Sequence, residues 1–166
     1  DGLKEALEKN GRNKDLLGLK EVKLFEIGTV WRKGKEEVLL GVADKGGVRQ
    51  SALSTYEVVN SQYDDLQVSI TERYQTFSKY PFIVRDIAIW VPNGTEPVEV
   101  LELLQKHAGD LLTRSELFDR FEKGEKISYA FRLVFQSFDK TLTDGDANER
   151  MESVYDAVKT KGWDVR

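Results

Sequence analysis

The chain has 166 residues, 40% of them hydrophobic and 33% charged, with a net charge of −4. That is the composition of an ordinary globular domain or two small ones. No apolar run approaches the roughly 20 residues needed to span a bilayer, so membrane association is not expected. Cys is absent and His occurs once, which excludes disulfides, thiolate metal sites and His-based metal clusters, and fits a reducing compartment. The charge divides unevenly: residues 1–79 carry 13 basic and 13 acidic side chains, residues 80–166 carry 12 and 16. No basic excess advertises nucleic acid, yet unpaired bases can be held by stacking and edge contacts without a strong field.

The first half reads as a mixed segment. Leu3 and Leu7 mark a short amphipathic helix over Leu3–Lys9, followed by the Asn/Gly-rich "KNGRNK". The chain opens at Asp1 without Met, inside that helix, which reads as a piece cut from a longer polypeptide. "VKLFEIGTVW" alternates into a strand ending at Gly28. "EEVLLGVAD" is a second strand closed by Gly46-Gly47, so 22–44 is expected to be antiparallel. From Ser51 to Tyr74 the pattern is weak and suggests a helix and then a strand.

The second half is patterned throughout. "YPFIVRDIAIWVP" alternates as a strand until Pro92-Asn93-Gly94 breaks it. Pro97 suits the first turn of a helix with Val100, Leu101 and Leu104 on one face, and Gly109 stops it. "LFDRFEKGEKISYAFRLVFQS" is a hairpin turning at Lys123-Gly124-Glu125. Thr143 and Asp146 suggest a capping box with a Leu142/Ala147 staple. Ala147, Met151, Val154, Tyr155 and Val158 form the buried stripe of the helix that follows, and Gly162 ends it before a last short strand, "WDVR". The order β-α-β-β-α-β is an α+β, ferredoxin-like arrangement: a four-stranded antiparallel sheet with two helices on one face.

Alternation along the hairpin places Phe118, Tyr129, Phe131, Leu133 and Phe135 on the core face. It places Leu117, Asp119, Phe121, Ser128, Ala130, Arg132 and Gln136 on the uncovered one. An aromatic ring beside a carboxylate, a hydroxyl and a guanidinium is the equipment that reads single-stranded RNA. Asp119 accepts from an exocyclic amine or a guanine edge, Ser128 donates or accepts, and Arg132 meets a phosphate or stacks. The plainer reading is that another domain covers this face. Arg85 is a candidate for a phosphate or for an ion pair. His107 reads as a solvated helix-end residue and Asp144–Asp146 as dipole compensation. "GKEEVLLG" lacks the ending of a phosphate loop, and no catalytic constellation is present.

In this order and spacing, "YPFIVRDIAIWV", "ELFDRF", "KISYAFRLVFQS", "KTLTDGD" and "KGWDVR" resemble the ferredoxin-fold anticodon-binding domain of the bacterial phenylalanyl-tRNA synthetase β subunit, over residues 79–166. "VKLFEIGTVW" with "VLLGVAD" is similar to the end of that subunit's catalytic-like core module, a class II synthetase fold without an active site, which assigns residues 1–78 to that module and a linker. The resemblance implies a cytoplasmic α2β2 ligase that joins phenylalanine to tRNA-Phe using ATP and Mg²⁺ at the α subunit, while this chain holds the anticodon and no cofactor. Asp119 falls where the family contacts the first anticodon base, Ser128 at another base-contacting position, and Phe121 at the stacking position, often Tyr. Residues 45–75 do not reproduce the family's segment between the two modules. A metabolite-binding regulatory module and a subunit-docking domain remain the competing classes.

Overall fold

Leu3, Ala6 and Leu7 share one face of α1 (Gly2–Arg12), which continues through Asn10-Gly11, where the sequence pattern had weakened. Glu5 and Lys9 pair at 2.7 Å one turn apart on the solvent side. A single turn, α2 (Lys14–Leu17), ends at Gly18 with φ 66°, a left-handed conformation that glycine adopts without a Cβ penalty. Three antiparallel strands follow, β1 (Leu24–Arg32), β2 (Lys35–Asp44) and β3 (Gly47–Ala52), in the order β1-β2-β3. The computed structural model describes residues 2–56 and 76–166, divided between two units, Asp1–Gln75 and Thr76–Arg166.

In the first unit β1 runs past Gly28 to Arg32, because Lys33 and Gly34 both take positive φ and close a two-residue hairpin turn. The strand β3 was not legible, since its Gly-Val-Arg-Gln-Ser-Ala carries no clear alternation. The helix expected from Ser51 onward begins instead with the end of β3 and one 3₁₀ turn at Leu53–Thr55; the rest of the helix and strand expected as far as Tyr74 falls outside the described residues. Gly41 lets α1 approach the sheet: a Cβ there would lie 3.2 Å from Leu3 Cδ2.

The second unit has the element order read from sequence: β4 (Ile83–Pro92), α3 (Pro97–Ala108), β5 (Leu112–Lys123), β6 (Lys126–Phe135), α4 (Asp144–Thr160) and β7 (Asp164–Val165). The sheet runs β5-β6-β4-β7, every pair antiparallel. This is the ferredoxin-like layout. Odd-numbered residues of β4 and β6 point to the helices: Ile87 lies opposite Phe131, and Ile89 opposite Tyr129. They meet Val100 and Leu104 of α3 and Met151, Val154 and Val158 of α4 in one buried cluster.

The helix ends follow local chemistry. Pro97 occupies the first turn of α3, and Gly109 stops that helix at φ 77°. At α4, Asp146 N–H donates to Thr143 Oγ1 (3.2 Å) while Thr143 N–H donates to Asp146 Oδ2 (2.8 Å), a reciprocal box. Leu142 and Ala147 are both buried beneath it. At the other end Gly162 N–H bonds to Lys159 O (2.9 Å) and Trp163 N–H to Val158 O (3.1 Å), a Schellman pair that returns Trp163 to the core.

One face assignment needs correction. The register of β5 against β6 shifts between Leu117 and Asp119, leaving Phe118 as an extra residue in a bulge. Leu117 therefore lies opposite buried Phe131, on the helix side. Phe118, expected in the core, is 51% exposed and stands beside Arg132 on the open side. Gln136, expected on the open face, lies past the end of β6, buried, with its amide donating to Tyr80 O at 2.7 Å.

The Lys140 ammonium, then the Thr143 hydroxyl and N–H, hold the Asp146 carboxyl well below the usual carboxylate range. A depressed folded-state pKa contributes stability above the unfolded value of about 3.9 and loses it as pH falls through the folded value. Asp146→Asn is expected to melt below the parent protein at neutral pH, with the gap closing as the pH drops below about 4. A thermal-melt series across the acid range checks it; a gap that does not narrow contradicts an ionic cap. Removing the other half of the box, Thr143→Ala, is expected to cost about 1 kcal/mol.

Candidate nucleic-acid interface

Because the odd residues of β4 and β6 face the helices, the even ones form the far side of the sheet. The register sets them in rows across the strands. Asp86 lies opposite Arg132, Ala88 opposite Ala130 and Asp119 beyond it, and Trp90 opposite Ser128 with Phe121 beyond that. At the Val84–Val134 end this side is not bare, since Val134 is buried. The accessible surface is the part from Arg132 to Phe121.

The first row is ionic. Arg132 Nε donates to Asp86 Oδ1 at 2.9 Å and Arg132 Nη2 to Asp86 Oδ2 at 2.8 Å, a two-pronged pair. The same guanidinium lies 5.2 Å from the centre of the Phe118 ring. Arg132 thus reaches the open face, engaged with a carboxylate and an aromatic ring. The second row is small: Ala88 and Ala130 make a low floor between bulkier neighbours, with exposed Asp119 at its β5 edge. Asp119 forms no hydrogen bond or ion pair among the described residues.

The third row is aromatic. Phe121 is 47% exposed and its ring meets Trp90 edge-on, with centroids 6.0 Å apart and planes at 68°. Arg166 lies over both rings, 5.6 Å from Phe121 and 5.8 Å from Trp90, within the range of a cation–π contact. Its backbone N–H is tied to Ala88 O at 2.8 Å. Beneath the rings, Ser128 is only 2% exposed and its hydroxyl has no hydrogen-bond partner. A buried hydroxyl left unpaired costs about 1–3 kcal/mol; among the described residues only Arg114 Nε shares that condition.

The five residues singled out from sequence do not all meet. Asp119, Phe121, Ser128 and Arg132 share the open face, with Ser128 roofed over. Arg85 does not join them. It is odd-numbered on β4, opposite Leu133, and turns to the helix side. There Arg85 Nη2 donates to Asp144 Oδ1 (2.6 Å) and Arg85 Nε to Asn148 Oδ1 (3.3 Å) at the start of α4. Trp90, Arg166 and Phe118 were missed. Trp90 carried a readable signal, an even position on a strand whose odd positions are Ile87, Ile89 and Val91. Arg166 did not, because only the pairing of β7 beside β4 brings it over the rings.

Acidic and basic groups are interleaved here. Lys126 at the hairpin end is paired with Asp164 at 2.7 Å, as Arg132 is with Asp86. Such a surface exerts little long-range attraction on a polyanion. What it offers is rings, a small-residue floor and edge-reading groups, which suit unpaired bases better than a duplex backbone. Among the described residues no three His, Asp or Glu side chains gather as a metal site would need.

The face assignment is testable by stability alone. Phe131 is wholly buried, so Phe131→Ala is expected to cost about 3–5 kcal/mol. Phe121→Ala loses mainly its edge contact with Trp90 and is expected to cost about 1 kcal/mol or less. Denaturant unfolding followed by circular dichroism measures both, and equal losses would contradict the opposite orientation of the two rings.

Comparison with known proteins agrees with this architecture. Residues 78–166 match the profile of the ferredoxin-fold anticodon binding domain. The chain is 33% identical over 98 residues to the phenylalanine–tRNA ligase beta subunit of Staphylococcus saprophyticus, covering 56% of this chain and 12% of that protein. It is 35% identical over 101 residues to the corresponding subunit of Coxiella burnetii, covering 58% and 13%. Against the chloroplastic/mitochondrial phenylalanine–tRNA ligase of Arabidopsis thaliana it is 30% identical over 110 residues, covering 65% and 25%. The matches span between about one eighth and one quarter of those relatives. On the profile match over more than half its length, this chain belongs to the ferredoxin-fold anticodon-binding domain family.

Proposed function

We propose that this chain recognises the anticodon of a phenylalanine tRNA, as the C-terminal region of the β subunit of a phenylalanine–tRNA ligase. The observation that carries the reading is Phe121, an outward ring beside Asp119 on the bare face of the family-matched sheet. A base stacks on Phe121, which supplies affinity without regard to sequence. The Asp119 carboxylate, exposed and without a partner among the described residues, accepts from the edge of that base or its neighbour and supplies discrimination. Arg85 is not part of this surface, and Arg132 acts through its pairing with Asp86, positioning the Phe118 edge of the floor.

Within that reading the ligase is a cytoplasmic α2β2 enzyme, and the joining of phenylalanine to tRNA belongs to the α subunit, together with its ATP and Mg²⁺. This chain positions the tRNA and contributes no reacting group. The first unit is assigned to the end of a catalytic-like class II core module and a linker; its support is the resemblance of the two segments that form β1 and β2.

Titration of the whole chain with the anticodon stem-loop of tRNA-Phe, against a stem-loop of unrelated anticodon, tests the proposal. Preferential binding is expected, and Phe121→Ala should weaken it by about 1–3 kcal/mol, the cost of one lost stack. Arg132→Gln is expected to leave the salt dependence unchanged, because Asp86 already neutralises that guanidinium. A slope smaller by roughly 0.7, the value for one single-strand phosphate contact, would place Arg132 on the backbone instead. Equal affinity for both stem-loops, or none for either, ends the reading.

A further inference from the structure

Phe121, Ser128 and Trp90 lie in one straight row across three strands. Adjacent strands are about 4.8 Å apart, so the two outer residues are rooted roughly 9.6 Å from each other. Their ring centroids are only 6.0 Å apart. The rings therefore lean together over the middle strand, and the residue they close over is Ser128, whose buried hydroxyl has no partner. Upright, the same two rings would leave space for one planar group, which needs about 7 Å between flanking surfaces, two van der Waals separations.

We propose that Trp90 is a second stacking platform of this surface, and that Trp90 and Phe121 part to admit a single unpaired nucleobase over Ser128, the base-contacting position that the family resemblance already implied. The proposal rests on the anticodon reading above and adds the residue and the movement that reading lacks. In the free protein the rings fill the slot themselves, edge to face, and the Arg166 guanidinium covers the pair. Entry of a base replaces one edge-to-face contact by two stacked ones and gives the orphan hydroxyl its hydrogen bond. Because a hydroxyl both donates and accepts, Ser128 reads the presence and position of a base edge, while choice among bases stays with Asp119. Arg166, tethered through its backbone to Ala88, stays close enough to follow the base and stack on its outer side.

The test uses the whole chain and the tRNA-Phe anticodon stem-loop, with three variants. Trp90→Leu keeps an apolar cover over Ser128 but removes the π face; it is expected to weaken binding roughly fivefold or more, the lower end for one lost stack. Ser128→Ala removes the unpaired hydroxyl. It is expected to melt no lower than the parent, since a buried unsatisfied group is deleted, and still to bind several-fold more weakly. A merely structural serine would not separate those two readouts. Nuclear magnetic resonance adds a third: at saturation the indole N–H signal of Trp90, assigned by its loss in Trp90→Leu, should shift, while that of core-packed Trp163 should not. If Phe121→Ala weakens binding but Trp90→Leu and Ser128→Ala bind like the parent, the ring-parting proposal is overturned and the anticodon reading stands. If the parent chain shows no preference for the stem-loop, both fall.

Discussion

The second unit depends on a single row of side chains. Phe131, Leu133 and Phe135 of β6 are wholly buried, and β6 has a neighbouring strand on each side. In a pleated strand, fixing those three toward the helices fixes Ser128, Ala130 and Arg132 away from them. A slip of one residue would put Arg132 into the core and Phe131 into water. The open face is thus the obligatory reverse of the core, and its chemistry is protected by the same burial that stabilises the fold.

That linkage explains what was legible in the sequence. Strand and helix order, Pro97 at a helix start, Gly109 and Gly162 at helix stops, and the Thr143–Asp146 box are local signals, and each meets its expected partner in space. The bulge at Phe118 was not legible, because nothing in "ELFDRF" marks which residue will be extra. Simple alternation placed Asp119 and Phe121 on the open face and Phe118 on the core face. The inserted residue reverses the parity between Glu116 and Asp119, so Leu117 and Phe118 were misassigned while Asp119 and Phe121 were not. The Trp90–Phe121–Arg166 cluster lay further out of reach, since it joins three strands whose neighbours are set by the whole-sheet order. Of the two readings offered for Arg85, a phosphate or an ion pair, the structure holds an ion pair with Asp144. Arg85 adjoins Asp86, which is on the open face, yet it serves the start of α4.

The charge pattern of this face is set by its internal pairs. Arg132 is matched by Asp86 and Lys126 by Asp164, so phosphate attraction contributes less here than in a basic groove. Affinity then has to come from short-range terms. The bare face of the first sheet offers a contrast. Phe25, Ile27 and Trp31 stand exposed along one side of β1, an apolar row that continues onto Val42, Leu40 and Val38 of β2. The second sheet alternates rings with a carboxylate, a hydroxyl and small residues, and that interleaving, more than exposed aromatic area, favours nucleobases as its ligand.

Ser128 is where these strands of argument meet. Burying its hydroxyl without a partner costs stability that alanine would spare. The backbone at that point is held between Phe121 and Trp90 by ladder pairs on both sides, and the hydroxyl finds no partner among the described residues. A polar group in such a position does nothing for the free fold; the proposed parting of Phe121 and Trp90 would open it to a polar edge arriving from the open side.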